Sequence, residues 1–187
     1  MNATSKTLIV FSLLIGLFTS FNACKKDYID YAQLDEDEKN ARENYLSQNY
    51  NTIQLTKDGI TFTALLIDTI GGIDTIKPTS SGLYYINETP KEDKGKIGPA
   101  PTVGRLVKAN YTGYLLDGTK FDSGEDFSFH YGTNEVISGW NEGISTGNMK
   151  KGETARLIIP SSQAYGYIEK TDVDGNVTIP KASTLVL

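Results

Sequence analysis

Only one cysteine, one histidine and one tryptophan occur in the 187 residues. A lone cysteine cannot close a disulfide within the chain. With a lone histidine it excludes most His/Cys metal sites, and any nucleophile pair that needs a second cysteine. No run of Lys and Arg builds a basic patch, and the formal charge of −5 and a pI near 4.9 argue against a nucleic-acid partner. A serine or cysteine hydrolase also fails on inventory. His130 is the sole imidazole, it sits in the strand-like run Phe129-His130-Tyr131 and reads as a surface strand residue, and no G-x-S-x-G elbow exists.

The longest apolar run, Leu8 to Phe18, is too short for a comfortable membrane span but has the length of a secretory h-region. Lys6 is the only charge before Lys25, and Phe21-Asn22-Ala23-Cys24 follows the run. That ending resembles a bacterial lipoprotein box, with Phe21 where the box usually has Leu. An ordinary signal peptide with a stray thiol is the alternative. Acylation at Cys24 would explain an unpaired thiol in an exported protein, and would tether it to a membrane while the rest stays in water. The expected division is a signal peptide over 1–23, an anchored extension over 24–80 and a catalytic domain over 81–187.

Within the extension, Asp35 to Tyr50 has helix-forming composition, with acidic residues expected in its first turn. Leu34, Ala41 and Tyr45 give it only a thin apolar stripe. It reads as a spacer helix, with a homodimer contact and a solvated stalk as alternatives, the stalk foremost. Ile60, Phe62, Ala64 and Leu66 alternate as a half-buried strand does. The repeated tetrapeptides Ile67-Asp68-Thr69-Ile70 and Ile73-Asp74-Thr75-Ile76 flank Gly71-Gly72, a two-residue hairpin signal. This hairpin would either extend a domain edge or form a small subdomain.

Further on, Leu83-Tyr84-Tyr85-Ile86 reads as a strand, 90–101 as a loop, and Val107, Ala109 and Tyr111 as a strand with one dry face. Asp117-Gly118 turns it into the strand bearing Phe121 and Asp122, and Phe127 and Phe129 lie on another run. Ala155, Leu157 and Ile159 alternate before Pro160. Between them, Ile137, Trp140 and Ile144 share one face of a short helix, with Ser138 as a candidate cap and Gly143 as an internal weakness. The single indole amid Tyr111, Phe121, Phe127, Phe129 and Tyr165 is equally a core or a pocket floor. Many strands and one short helix predict an α+β fold, a twisted antiparallel sheet wrapped around that helix, with an N-terminal helix and hairpin added.

Read together, Tyr111-Thr112-Gly113, Asp117-Gly118, Phe121-Asp122-Ser123, Glu135-Val136-Ile137-Ser138-Gly139-Trp140, Ala164-Tyr165-Gly166 and Ile179-Pro180 resemble the signature of FKBP-type peptidyl-prolyl isomerases, in its order and close to its spacings. The resemblance implies an isomerase that needs no cofactor and no metal, acting on proline-containing polypeptides. It implies Trp140 as the floor of a pocket, with Tyr111, Phe121, Phe127, Val136 and Ile137 as walls. The Ile137 N–H and the Tyr165 hydroxyl would donate to substrate carbonyls, Asp122 would lie near the rotating carbonyl, and Ile179 would close the rim. Phe129 reads as core. Leu187 falls where the family commonly has a pocket Phe and usually continues its last strand. The catalytic set is therefore Tyr111, Asp122 and Tyr165, and macrolide inhibitors of the family become candidate ligands. The same apolar hollow would also serve a non-catalytic chaperone or peptide-binding module.

The family pattern is shorter here between Phe121-Asp122 and Phe127, and the loop from Gly166 to Ile179 is long and polar. Asp172-Val173-Asp174-Gly175-Asn176 reads as a hairpin tip, with a calcium site as the alternative. With the lipoprotein ending, the setting is a bacterial cell envelope, at a periplasmic face or outer membrane.

Overall fold

The computed structural model describes residues 28–69, 72–90 and 97–187. The apolar run from Leu8 and the acylation candidate Cys24 lie outside them. The chain divides into two compact units, Met1–Asp30 and Tyr31–Leu187, and every element below belongs to the second.

Helix α1 spans Tyr31–Asn49. It starts ahead of the acidic run, so Asp35, Glu36 and Asp37 lie beyond its first turn. A three-stranded antiparallel sheet follows, ordered β1 (Asn51–Lys57), β2 (Ile60–Thr69), β3 (Gly72–Ile76). β2 and β3 pair as a hairpin, but Thr69 stands opposite Gly72, so Gly72 belongs to β3 rather than to the expected two-residue turn, and Gly71 lies outside the described residues. β1 was not expected. Asp58 and Gly59, with φ of 52° and 78°, turn it into β2 as a tight hairpin requires. The expected alternation along β2 does not hold. Ile60 is 69% exposed, whereas Thr63, Ala64 and Leu65 are all buried. β2 is the central strand, and Leu65 turns inward to meet α1.

The second sheet has five antiparallel strands, ordered β4 (Tyr84–Asn87), β7 (Ala155–Ile159), β10 (Leu185–Val186), β5 (Leu106–Leu115), β6 (Lys120–His130). Phe121, Phe127 and Phe129 share the single strand β6 rather than two runs, with irregular register against β5 and Asp126 at φ 53°. Such a bulge redirects the side chains beyond it. A small hairpin of β8 (Lys170–Thr171) and β9 (Val177–Ile179) completes the set. Its tip is closed by Asp172, whose Oδ1 accepts the Asp174 and Asn176 N–H at 3.0 and 2.8 Å, while Oδ2 accepts the Asn176 amide at 3.0 Å. Those bonds hold the Asp172 carboxyl below its usual range. Among the described residues, no group of three or more His, Cys, Asp or Glu is arranged to hold a metal, and no helix is long and apolar enough to cross a membrane.

Helix α2, Ser138–Thr146, lies on β7. Its length matches the expectation, but two local readings change. Ser138 is the first helical residue and makes no cap; the cap position falls to Ile137. Gly143 is not a flaw, because a Cβ there would meet the Leu157 side chain at 2.6 Å and one at Gly139 would meet Ile159 at 2.4 Å. The two glycines are the buried face of α2 and allow its backbone onto the sheet.

Helix α1 is not a solvated stalk. Leu46 is fully buried with Leu65, Tyr84, Ile86 and Ile158 in one apolar cluster. Complete burial of such a side chain contributes about 1.5–3 kcal/mol. Ala41, read as part of its apolar stripe, is exposed. The inward face is instead the buried Leu46 with the partly buried Glu38 and Arg42, two charged residues.

Candidate active site

β5 and β6 place Tyr111, Phe127 and Phe129 around the indole of Trp140 on α2. Their ring centroids stand 5.1, 5.8 and 5.2 Å from that of Trp140, at interplanar angles of 79°, 73° and 82°. Edge-to-face contacts of this kind suit the positive ring edges and negative faces of aromatic groups. Tyr111 and Phe127 also meet edge to face at 5.5 Å. The indole is only partly buried, so its own protein does not enclose it.

Beneath the cluster lies an apolar bed of Leu83, Leu157, Ile159, Ile179 and Leu185, against which Phe121, Ile137, Trp140, Tyr165 and Leu187 pack. Phe121 lies over Gly113, where any Cβ would stand 2.5 Å from its ring. Val136 is partly buried in the segment leading to α2. Ile179, at 4% exposure, belongs to the bed rather than to an open rim. Leu187 exchanges two backbone hydrogen bonds with Leu157 and is held in the sheet. Phe129, 1% exposed, is core as expected, yet it also abuts the indole. It lies two residues from Phe127 on β6 and shares its face, the two rings stacked at 5.9 Å.

The polar groups sit above this apolar base. The Tyr111 hydroxyl donates to Asp122 Oδ2 at 2.6 Å, and Asp122 Oδ1 accepts the Ser123 N–H at 2.8 Å. Burial first, then the bond to Asp122 and its charge, push the Tyr111 phenol up to about 12. Tyr165 is also raised, by burial and then by the charge of Asp122. Both phenols are therefore proton-bearing donors at neutral pH. Among the described residues, neither the Tyr165 hydroxyl nor the Ile137 N–H has a protein acceptor. The Lys170 ammonium stands over the Tyr165 ring, 4.5 Å from its centroid. His130 lies outside the cluster, where its backbone N–H and Nδ1 both meet the Glu135 carboxylate at 2.9 Å.

Tyr165 follows the one-turn 3-10 helix Ser161–Gln163. The Ser161 carbonyl accepts the N–H groups of both Ala164 and Gly166 at 2.8 Å, fixing the residues on either side of Tyr165. The Ser138 hydroxyl reaches the Gln163 carbonyl at 3.1 Å and its side-chain oxygen at 2.8 Å, joining α2 to this turn.

In sequence and in fold the chain is similar to known proteins. Residues 98–187 fit the family model described as FKBP-type peptidyl-prolyl cis-trans isomerase. The FkpA isomerase of Escherichia coli K12 is 42% identical over 115 residues, covering 59% of this chain and 37% of its own length. FK506-binding protein 1 of Dictyostelium discoideum is 44% identical over 80 residues, covering 41% of this chain and 70% of its own. Among solved structures, a peptidyl-prolyl isomerase from Pseudomonas syringae pv. tomato superposes with a TM-score of 0.54 at 25% identity, covering 85% of this chain and 91% of that one. The chain belongs to the FKBP-type peptidyl-prolyl cis-trans isomerase family. It spans little more than a third of the length of the E. coli relative.

Proposed function

We propose that this protein accelerates cis–trans isomerisation of X-Pro bonds in polypeptides, through a domain at 81–187 with Trp140 as the floor of its site. The observation that carries the reading is the partly exposed indole among Tyr111, Phe127 and Phe129, with two donors, Ile137 N–H and Tyr165 OH, left without partners among the described residues.

The uncatalysed reaction is slow, about 10–100 s at 25 °C, because amide resonance must be lost in the twisted state. Every tenfold acceleration requires about 1.4 kcal/mol of preference for the twisted imide over the planar one. The proline ring rests on Trp140, between Tyr111, Phe127, Phe121, Val136 and Ile137. This dry contact strips water from the imide carbonyl, weakening the charge-separated planar form. Ile137 N–H and Tyr165 OH hold the flanking carbonyls, and the Tyr111–Asp122 pair places a negative charge beside the rotating group. Ile179 and Leu187 support the floor from the bed and the sheet. A macrolide inhibitor of the family would occupy the same hollow.

We place the enzyme in a bacterial cell envelope, tethered through acylated Cys24, because a short apolar run followed by Ala23-Cys24 precedes an acidic, water-compatible chain. Its clients are then exported proteins. A protease-coupled assay on an X-Pro peptide tests the activity. Acceleration by the folded protein, reduced about tenfold but still measurable in Tyr165→Phe and in Asp122→Ala, is the expected result. If the wild-type protein leaves the rate unchanged, the reading falls; suppression of aggregation that survives both substitutions would make it a holding chaperone instead.

A further inference from the structure

The side chain of Glu38 on α1 is 8% exposed and has no part in the aromatic cluster, yet its carboxylate is saturated with donors. Its Oε1 accepts the Ser161 N–H and the Thr184 hydroxyl, each at 2.6 Å, and pairs with the Arg42 guanidinium at 3.2 Å. Its Oε2 accepts the Ser161 hydroxyl at 2.6 Å. Ser161 is thus gripped from both directions. Its N–H and hydroxyl are fixed by Glu38, and its carbonyl fixes Ala164 and Gly166 on either side of Tyr165. A second contact of the same helix reaches the far end of the turn, where the Tyr167 hydroxyl donates to Asp35 at 2.5 Å and the Tyr31 and Tyr167 rings lie 4.5 Å apart. Thr184, 2% exposed, brings in the residue before β10, and the Ala182 N–H donates to the Gly166 carbonyl at 2.8 Å.

We propose that α1 is a positioning element of the site, in which Glu38, acting through Ser161, sets where the Tyr165 hydroxyl stands. The inference rests on the reading of Tyr165 as a substrate donor. A site of this kind depends on its supporting groups, because a donor displaced by an ångström no longer meets the carbonyl it serves. Two anchored ends and a clamped Ser161 peptide leave the Tyr165 backbone little freedom. Residues in the extension, far from the aromatic cluster in sequence, thereby enter the kinetics.

The test is a double-mutant cycle in the full chain, with an X-Pro peptide as substrate. Glu38→Ala is expected to lower kcat/KM roughly tenfold in the wild-type background, and by less than about twofold where Tyr165→Phe has already removed the hydroxyl. Glu38→Gln, which keeps the bulk and one acceptor, should restore part of the loss. It also replaces Glu38→Ala if that variant does not fold. Tyr167→Phe, at an exposed position, should cause a smaller loss in the same direction. Alongside, hydrogen exchange should speed up at the Ser161, Ala164 and Gly166 amides in the Glu38 variants, while the β5–β6 amides keep their protection. Equal losses in both backgrounds, or an exchange change that is absent or spread evenly over the chain, would overturn the proposal. Should the wild-type protein lack isomerase activity, the functional reading fails by itself, and the exchange pattern alone decides whether Glu38 governs the Tyr165 turn.

Discussion

Two carboxylates in this molecule have opposite surroundings. Asp122, at the edge of the aromatic cluster, is exposed and receives two hydrogen bonds, from the Tyr111 hydroxyl and the Ser123 N–H. Glu38, under the turn that carries Tyr165, is enclosed and receives donors from Ser161, Thr184 and Arg42. A buried charge is tolerated only when its acceptor sites are filled, and then it is committed to structure. An exposed one gives little to stability and keeps its field available to a ligand. The same chemical group thus holds one region together and equips the other.

The largest effect that would break this contrast is at Glu38. Glu38→Ala leaves the Ser161 and Thr184 donors without their acceptor and takes from Arg42 its counter-charge, leaving it, among the described residues, only Thr184 Oγ1 at 3.1 Å, and should cost about 3–5 kcal/mol in urea unfolding. A loss within about 0.5 kcal/mol, the usual range for a surface position, would erase the distinction. Next comes the packing beneath the cluster. Gly143→Ala drives a methyl group into Leu157 and should cost about 1–3 kcal/mol by overpacking. Asp122→Ala should leave the unfolding midpoint almost unchanged yet lower kcat/KM about tenfold, equivalent to about 1.4 kcal/mol of barrier. A drop in stability with activity intact would reverse the assignment.

The smallest effect is the alkaline response. The Tyr111 phenol is raised to about 12, above its unfolded value. The folded state therefore holds the proton more tightly, and its stabilising contribution is fully present below about pH 10 and lost as pH rises through about 12. Absorbance titration of the phenols should show Tyr111 ionising late. An ordinary tyrosine titration at that residue would contradict the hydrogen-bonded Tyr111–Asp122 pair.

How much of this was legible in the sequence depends on which residues carry each feature. The strands bearing Ala155, Leu157 and Ile159, and the turn at Asp117-Gly118, follow from alternation and turn chemistry, and the structure has them. β1 escaped because its exposed apolar residues make no clear dry face, although Asp58-Gly59 offered the hairpin signal. Tyr111 and Trp140 were readable because they fall into an ordered family pattern, whereas Phe129 read only as core and its contact with the indole was not foreseen. The docking of α1 was not, since its inward face is one buried leucine beside partly buried charged residues, which reads as a solvated face. Nothing near Glu38 in sequence points to Ser161 or Thr184, 123 and 146 residues away. Only the fold supplies their proximity.

That separation has a kinetic consequence for the newly made chain. β10, only two residues long, sits between β7 and β5, and the residue before it is held by α1. During synthesis the amino-terminal helix emerges early, but its seat is incomplete until Thr184 to Val186 has left the ribosome. Contacts so distant along the chain are slow to form. Until they do, the Glu38 carboxylate lacks its Thr184 donor and the unpaired edges of β5 and β7 stay exposed to other chains. A protein proposed to hasten the folding of others would itself be a late closer.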